Sequence, residues 1–259
     1  MRLPEASAES CRLADGVVAL APGLAWLPAT GSLVAADAHL AYEDVIGGAL
    51  PLWSTAELAA TLLLAARRHA AREIVFLGDV VHGAQMSEGA TRAVGAALEA
   101  LRAEAAVTLV AGNHEGRSRA FAVLGASADT VERDGWLLSH GDRPALRGGA
   151  DAPGRAIIGH LHPSLRLGAR TSVPAFVAGE RVVVLPALTP YSSGFDVLSL
   201  EFAAALDEWQ TSRGEAHVVA ATSGRVYPFG SLAALRDALR GSPPRANPAF
   251  ARRRLSPSD

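Results

Sequence analysis

Apolar blocks of four to six residues, each closed by a glycine or a polar turn, set the rhythm of this chain. From Val17 to Ala36 the residues are apolar but broken by Pro22, Gly23, Pro28 and Gly31, which predicts short strands joined by turns. Ser54-Thr55-Ala56-Glu57 has the spacing of a capping box. It predicts a helix running through Leu58, Leu62 and Ala65 to Ala71, with Arg67 and Arg68 complementing the negative end of its dipole. Glu73–Leu77 (EIVFL) reads as a buried strand, 87–105 as a second helix and 106–111 as the next strand. Further strands are predicted at 136–139, 156–158, 175–178, 182–185, 197–200, 217–221 and 225–228, and a last helix over 231–240. Helices and strands alternate early and strands dominate later, the pattern of a layered α/β sandwich rather than an all-parallel sheet. The segment 201–217 fits no element of this scheme except a helix added to the side.

Composition narrows the class. With 259 residues, 49% hydrophobic and 19% charged, the chain can bury a large core and is not a disordered polymer. A net charge of -2 argues against a nucleic-acid coat protein, though not against an enzyme with a local basic patch. The single cysteine, Cys11, cannot form an internal disulfide, and no apolar run approaches the roughly 20 residues that span a bilayer. The first residues lack the apolar core of a signal peptide, so the expectation is a cytoplasmic protein without membrane contact. All 24 basic residues are arginine, a bias of base composition rather than of chemistry. Residues 242–259, rich in Pro, Ser and Arg, read as a loose tail behind one domain spanning 1–241.

Histidine breaks the monotony. Six of the 8 histidines fall in five short clusters, each directly after an apolar strand. The clusters are Asp37-Ala38-His39, Gly78-Asp79-Val80-Val81-His82, Gly112-Asn113-His114-Glu115, Ser139-His140-Gly141-Asp142 and Gly159-His160-Leu161-His162. Strand ends in open α/β sheets are where sites are assembled, so the clusters are expected to converge at one edge. Turn chemistry accounts for Asp, Asn and Gly in loops but does not select histidine six times. Carboxylate, amide and imidazole donors without thiolate suit Mn2+, Fe or Zn2+ with an open coordination position. The clusters hold more such donors than one ion needs. They suit two ions about 3.5–4 Å apart, an arrangement that clamps a phosphoryl group and lowers the pKa of a shared water.

The order D-x-H, G-D-x-x-H, G-N-H-E, H-G, G-H-x-H resembles that of the calcineurin-like metallophosphoesterases, over roughly Val34 to Leu188. The resemblance implies a four-layer α/β sandwich around two mixed β-sheets flanked by helices. It places Asp37, His39 and His162 on one metal, Asn113, His140 and His160 on the other, and Asp79 between them. It gives His114 the task of stabilising the transition state or protonating the leaving oxygen. Two divalent ions are implied, Mn2+ first, with Fe, Zn2+ or Ni2+ as alternatives. DAHLAYE at 37–43, GDVVH at 78–82, GHLHPSLRL at 159–167 and LPAL at 185–188 are closer still to the small DNA ligase-associated members. Those members imply a nuclease or phosphodiesterase of DNA repair, acting on DNA ends or single strands beside a helicase or ligase. Ala41 stands where that group usually has glycine.

His82 reads equally as a phosphate or supporting contact and as a cap for the following helix. Arg117, Arg119 and Arg143 could each pair with a phosphate but fit a solvated face better, and Arg166 is the better candidate by resemblance; Arg117 and Arg166 are kept as candidate phosphate contacts. His69 and His217 read as structural or surface residues. The intervals between motifs leave no room for a cap domain, so an open site and a phosphodiester substrate are expected. A phosphomonoesterase of the same fold, or a scaffold that has lost catalysis, are the competing readings.

Overall fold

A computed structural model describes residues 8–47, 52–83, 85–113, 124–144, 154–168, 171–192, 194–209 and 215–240. His114, Arg117, Arg119 and the tail 242–259 lie outside the described residues.

The first sheet has the strand order β1 (Ser10–Ala14), β2 (Val17–Leu20), β3 (Leu24–Leu27), β4 (Ser32–Ala36), β5 (Glu73–Leu77), β6 (Ala106–Val110). Its first four strands form an antiparallel meander, and β4, β5 and β6 are parallel. The parallel connections are helices, α2 (Trp53–His69) and α3 (Glu88–Glu104), with the short α1 (Tyr42–Ile46) ahead of α2. The second sheet is also mixed. Strands β8 (Trp136–Ser139), β9 (Ala156–Ile158) and β12 (Val182–Val184) run parallel, and β7 (Thr130–Arg133) pairs antiparallel with β8. On the other side of β12 lies β11 (Ser172–Ala178). Its first residues pair with β10 (Pro163–Arg166) and its last four with β14 (His217–Ala221). β13 (Phe195–Asp196) and β15 (Val226–Ser231) close the edges, and α4 (Leu200–Glu208) and α5 (Leu232–Arg240) cover the outer face.

Period-two alternation assigns each strand face to a layer. In β4, Leu33 and Ala35 pack toward α2 and α3, with Leu62 and Leu98, while Val34 and Ala36 face the other sheet. In β5, Ile74 and Phe76 do the former, Val75 and Leu77 the latter, against Leu138, Ile157, Phe176 and Val183. Ile158, Val182, Val184 and Val218 turn outward to Phe202 and Leu206 of α4 and Leu232 of α5. Four layers result: helices, sheet, sheet, helices. Strands buried on both faces explain why EIVFL and AII are apolar without interruption.

Three readings of the sequence need correction. Val197–Leu200 is not a strand: Ser199 caps α4 by accepting the Phe202 N–H, so the run is the turn that leads into a helix beginning at Leu200. α4 also fills the first half, 201–208, of the segment that had no partner in the scheme. Ser54 is not an N-cap. It sits inside α2, and its N–H and hydroxyl both donate to the Glu43 carboxylate (2.9 and 2.8 Å). Nor does His82 cap the next helix. That cap is Ser87, which accepts from the Ala90 N–H.

At the end of the sandwich away from the histidine clusters, Glu73 of β5 ties the sheets together. It accepts two hydrogen bonds from Arg133 of β7 (2.8 and 2.6 Å), one from Thr108 and one from Ser32. The Arg133 guanidinium holds the Glu73 carboxyl below its usual 4.5, against the opposing effect of burial. A carboxylate whose pKa is lowered by folding stabilises the fold above its unfolded pKa, and loses that effect as pH falls through the folded value. Glu73→Gln is therefore expected to lower unfolding stability by about 2–3 kcal/mol at neutral pH. In urea titrations, the gap to the unaltered protein should close on acidification below the usual 4.5.

Candidate metal centre

Register brings the clusters together. Ala36, Leu77 and Val110 are neighbours at the ends of the parallel strands β4, β5 and β6, so Asp37, Asp79 and Asn113 leave the first sheet side by side. Ser139, Ile158 and Val184 align likewise in the second sheet, releasing His140 and His160 beside them. The two edges meet: the His160 N–H donates to Asp37 Oδ2 (2.8 Å) and His140 Nδ1–H to the Leu77 carbonyl (2.9 Å).

Glycines permit this approach by interlocking the motifs. A Cβ on Gly112 would overlap the Asp79 N–H and carboxylate, and one on Gly159 would sit 2.5 Å from Asp37 Oδ2. A Cβ on Gly78 would overlap the His140 ring. Each glycine thus lies beneath a donor that belongs to a different motif. The donors' own backbones are unusual too. Asp37, His39, Asp79, His160 and His162 all have positive φ, between 41° and 60°. Ala41, where glycine is usual in the resembling group, shares that conformation at φ 58°.

Among the described residues, two groups of side chains could each hold a metal ion. Asp37, His39 and His162 form one, Asp37, Asp79 and His140 the other, with donor atoms in each group within 4.8 Å of one another. Asp37 is the carboxylate common to both, whereas the resemblance implied Asp79 as the bridge. Asn113 Oδ1 lies 2.7 Å from His140 Nε2, and His160 Nδ1 lies 3.1 Å from the same nitrogen. His82 Nδ1 approaches His39 Nδ1 at 3.1 Å. Arg166, half-buried at the end of β10, belongs to neither group, and Arg143 is exposed beside Asp142. A cleft of about 250 Å³, lined in part by Gly112, Thr130, Ser139, His140 and Asp142, opens next to the second group.

Proton counting tests whether a cation fits. His140 gives its Nδ1–H to a backbone carbonyl, so in the neutral ring Nε2 carries a lone pair. That lone pair faces Asn113 Oδ1 and, at 3.5 Å, Asp79 Oδ2, both acceptors. His162 Nδ1 engages Ser192 Oγ at 2.7 Å, which turns its Nε2 to Asp37 Oδ1 at 3.1 Å. Asp37 Oδ1 is nonetheless buried without a properly directed hydrogen bond. Carboxylate, amide and imidazole acceptors converging on one buried spot suit a cation, and a ring nitrogen anchored to a carbonyl or hydroxyl is how metal-binding histidines are oriented. Burial and the neighbouring His140 lower the His160 pKa, favouring the neutral ligand form. At His162 burial acts the same way, but the Asp37 and Asp79 carboxylates outweigh it and raise the pKa.

Several contributors were not visible in the sequence reading. Ser192 orients His162, and the Leu77 carbonyl orients His140. Tyr191 donates its hydroxyl to Glu43 (3.1 Å) and stacks on Tyr42. The signal for Tyr191 and Ser192 was the one used elsewhere: a polar run soon after an apolar strand, here β12.

No protein-family model and no curated protein matches the chain. Among solved structures it resembles the crystal structure of Pseudomonas putida nuclease MPE, with 21% identity and a TM-score of 0.64. The match covers 86% of this chain and 100% of that one. The two share a fold. It is the sandwich of two mixed sheets with flanking helices described above. Among the described residues, no helix is long and apolar enough to cross a membrane.

Proposed function

We propose that the protein is a metal-dependent phosphoesterase that hydrolyses phosphodiester bonds, with DNA or a nucleotide-derived diester as substrate. The observation that carries this reading is the pair of Asp/His groups joined at Asp37, whose buried Oδ1 lacks a hydrogen-bond donor. The motif order supports it, as does the nuclease whose fold the chain shares. When bound, a pair of divalent ions supplies positive charge for the phosphoryl oxygens and a nucleophile at neutral pH. Asp37, His39 and His162 would hold one ion, Asn113, His140 and His160 the other, and Asp79 would reach both. Mn2+ is the favoured metal.

The chain's own groups do the rest. Ser192 and the Leu77 carbonyl keep His162 and His140 turned to the centre. His82 steadies the His39 ring. His114, next to Asn113 in sequence, is assigned the proton delivered to the leaving oxygen. Arg117 and Arg166 are assigned phosphate contacts by sequence position alone. A cytoplasmic role in DNA repair beside a helicase or ligase belongs to the same proposal, through the motif resemblance.

The test is hydrolysis of bis-p-nitrophenyl phosphate by metal-stripped protein with Mn2+ restored, alongside p-nitrophenyl phosphate. Cleavage of the diester that depends on Mn2+ and exceeds that of the monoester is expected. A preference for the monoester would make the protein a phosphomonoesterase, and failure to bind metal would end the reading altogether.

A further inference from the structure

Seven large hydrophobic side chains are exposed among the described residues: Val45, Ile46, Trp53, Leu64, Tyr191, Phe195 and Leu200. Four of them, Val45, Ile46, Trp53 and Tyr191, gather about one buried side chain, Glu43. Val45 and Ile46 follow it in α1. Trp53, 72% exposed, precedes Ser54, whose N–H and hydroxyl donate to the Glu43 carboxylate. Tyr191, 44% exposed, donates its hydroxyl to the same carboxylate. Scattered apolar residues need no explanation, but a cluster anchored on one buried acid does.

The cluster adjoins the metal centre. The Tyr191 ring stacks on Tyr42, with centroids 4.9 Å apart and planes 16° from parallel. Tyr42 in turn meets the ring of His82 edge-on at 4.5 Å and that of His39 at 6.4 Å. From the candidate ligand His39 outward there is thus a run of rings ending in an exposed tyrosine. One face of Tyr191 is taken by Tyr42, and the ring is pinned at its hydroxyl. A ring already fixed in place loses little freedom when a planar group lies against it.

We infer that Tyr191, backed by Tyr42, is a stacking platform for an unpaired nucleobase flanking the scissile phosphate, and that Trp53 extends it along the strand. The inference rests on the phosphodiesterase reading and deepens it by naming the side chains that would grip an unpaired base beside the metal centre. Every base offers a π-face, so such a platform grips a strand without regard to sequence. A base inside a duplex is stacked on its neighbours and cannot use it. No basic side chain is needed at this rim, because the phosphate would be held at the metal centre. This fits a chain of net charge -2.

The experiment is fluorescence anisotropy of a short labelled oligothymidine, and of an abasic oligomer of equal length, against the full chain with and without Mn2+. The unaltered protein should bind the thymidine strand more tightly. Tyr191→Ala should lose about tenfold of that preference, whereas Tyr191→Phe, which keeps the ring and drops the bond to Glu43, should retain most of it. Trp53→Ala should show a smaller loss in the same direction. Equal affinity of the unaltered protein for both oligomers, or a preference untouched in Tyr191→Ala, would overturn the inference and leave the rim as a protein-docking surface. Methyl p-nitrophenyl phosphate, which has no base, separates the two proposals. If the unaltered protein binds strands through their bases yet does not cleave this ester with Mn2+, the phosphoesterase reading fails and the platform stands.

Discussion

Asp37→Asn is expected to reduce kcat/KM on bis-p-nitrophenyl phosphate by about 10³-fold or more, a loss of roughly 4 kcal/mol of transition-state stabilisation. Asp37 is the one carboxylate within both groups of side chains that could hold a metal, so its neutralisation removes negative charge from each. The substitution keeps size and shape. Its oxygen can still accept the His160 N–H, and its new amide group would lie beside His162 Nε2, 3.1 Å from the present carboxylate oxygen. Metal analysis of the dialysed protein should show Mn2+ content falling together with activity. Without metal, the variant should unfold at the same temperature as the parent or above it, because a buried charge with an unsatisfied oxygen has been removed. That combination distinguishes a ligand from a structural carboxylate. Retention of both Mn2+ and turnover would refute the assignment.

Gly112→Ala carries the second large effect, although it removes no functional group. The new methyl would overlap both the backbone nitrogen and the carboxylate of Asp79, which must move. Displacing a catalytic group by the order of an ångström costs about 10²-fold in rate. A loss of that size in kcat/KM is expected, with unchanged circular dichroism. Gly154→Ala, where a Cβ meets nothing within 4 Å, serves as the inert comparison. Wild-type kinetics for Gly112→Ala would mean that Asp79 is not held where the chemistry needs it.

The fold was legible wherever one physical cue dominated. EIVFL is apolar throughout because β5 is covered on both faces, and its bounds match the prediction residue for residue. α3 announced itself through Ser87 and a clean amphipathic repeat. What escaped were β1, β7, β10 and β13: the first two are half-exposed, β10 is buried but carries Ser164 and Arg166, β13 is two residues long, and none has a long apolar stretch. Val197–Leu200 shows a different difficulty: four apolar-leaning residues suit a strand or a helix start equally, and only the capping geometry of Ser199 decides. The histidine clusters could be read because each sits in a few consecutive residues. The supporting groups could not, because Glu43 and Tyr191, or His162 and Ser192, meet only after the sheets are assembled. The capping-box misreading has the same origin. Ser54 donates its N–H and hydroxyl to Glu43, on another element, instead of accepting an N–H of its own helix.

Five proposed ligands held at positive φ also say something about how this chain can change over generations. Each such residue costs about 1 kcal/mol in a conformation that glycine or asparagine would adopt more readily. A mutation from His39 or His160 to glycine is therefore rewarded by folding and punished only by loss of the imidazole. Under relaxed demand for catalysis these positions should be the first to drift, and drift there would leave a sturdier protein behind.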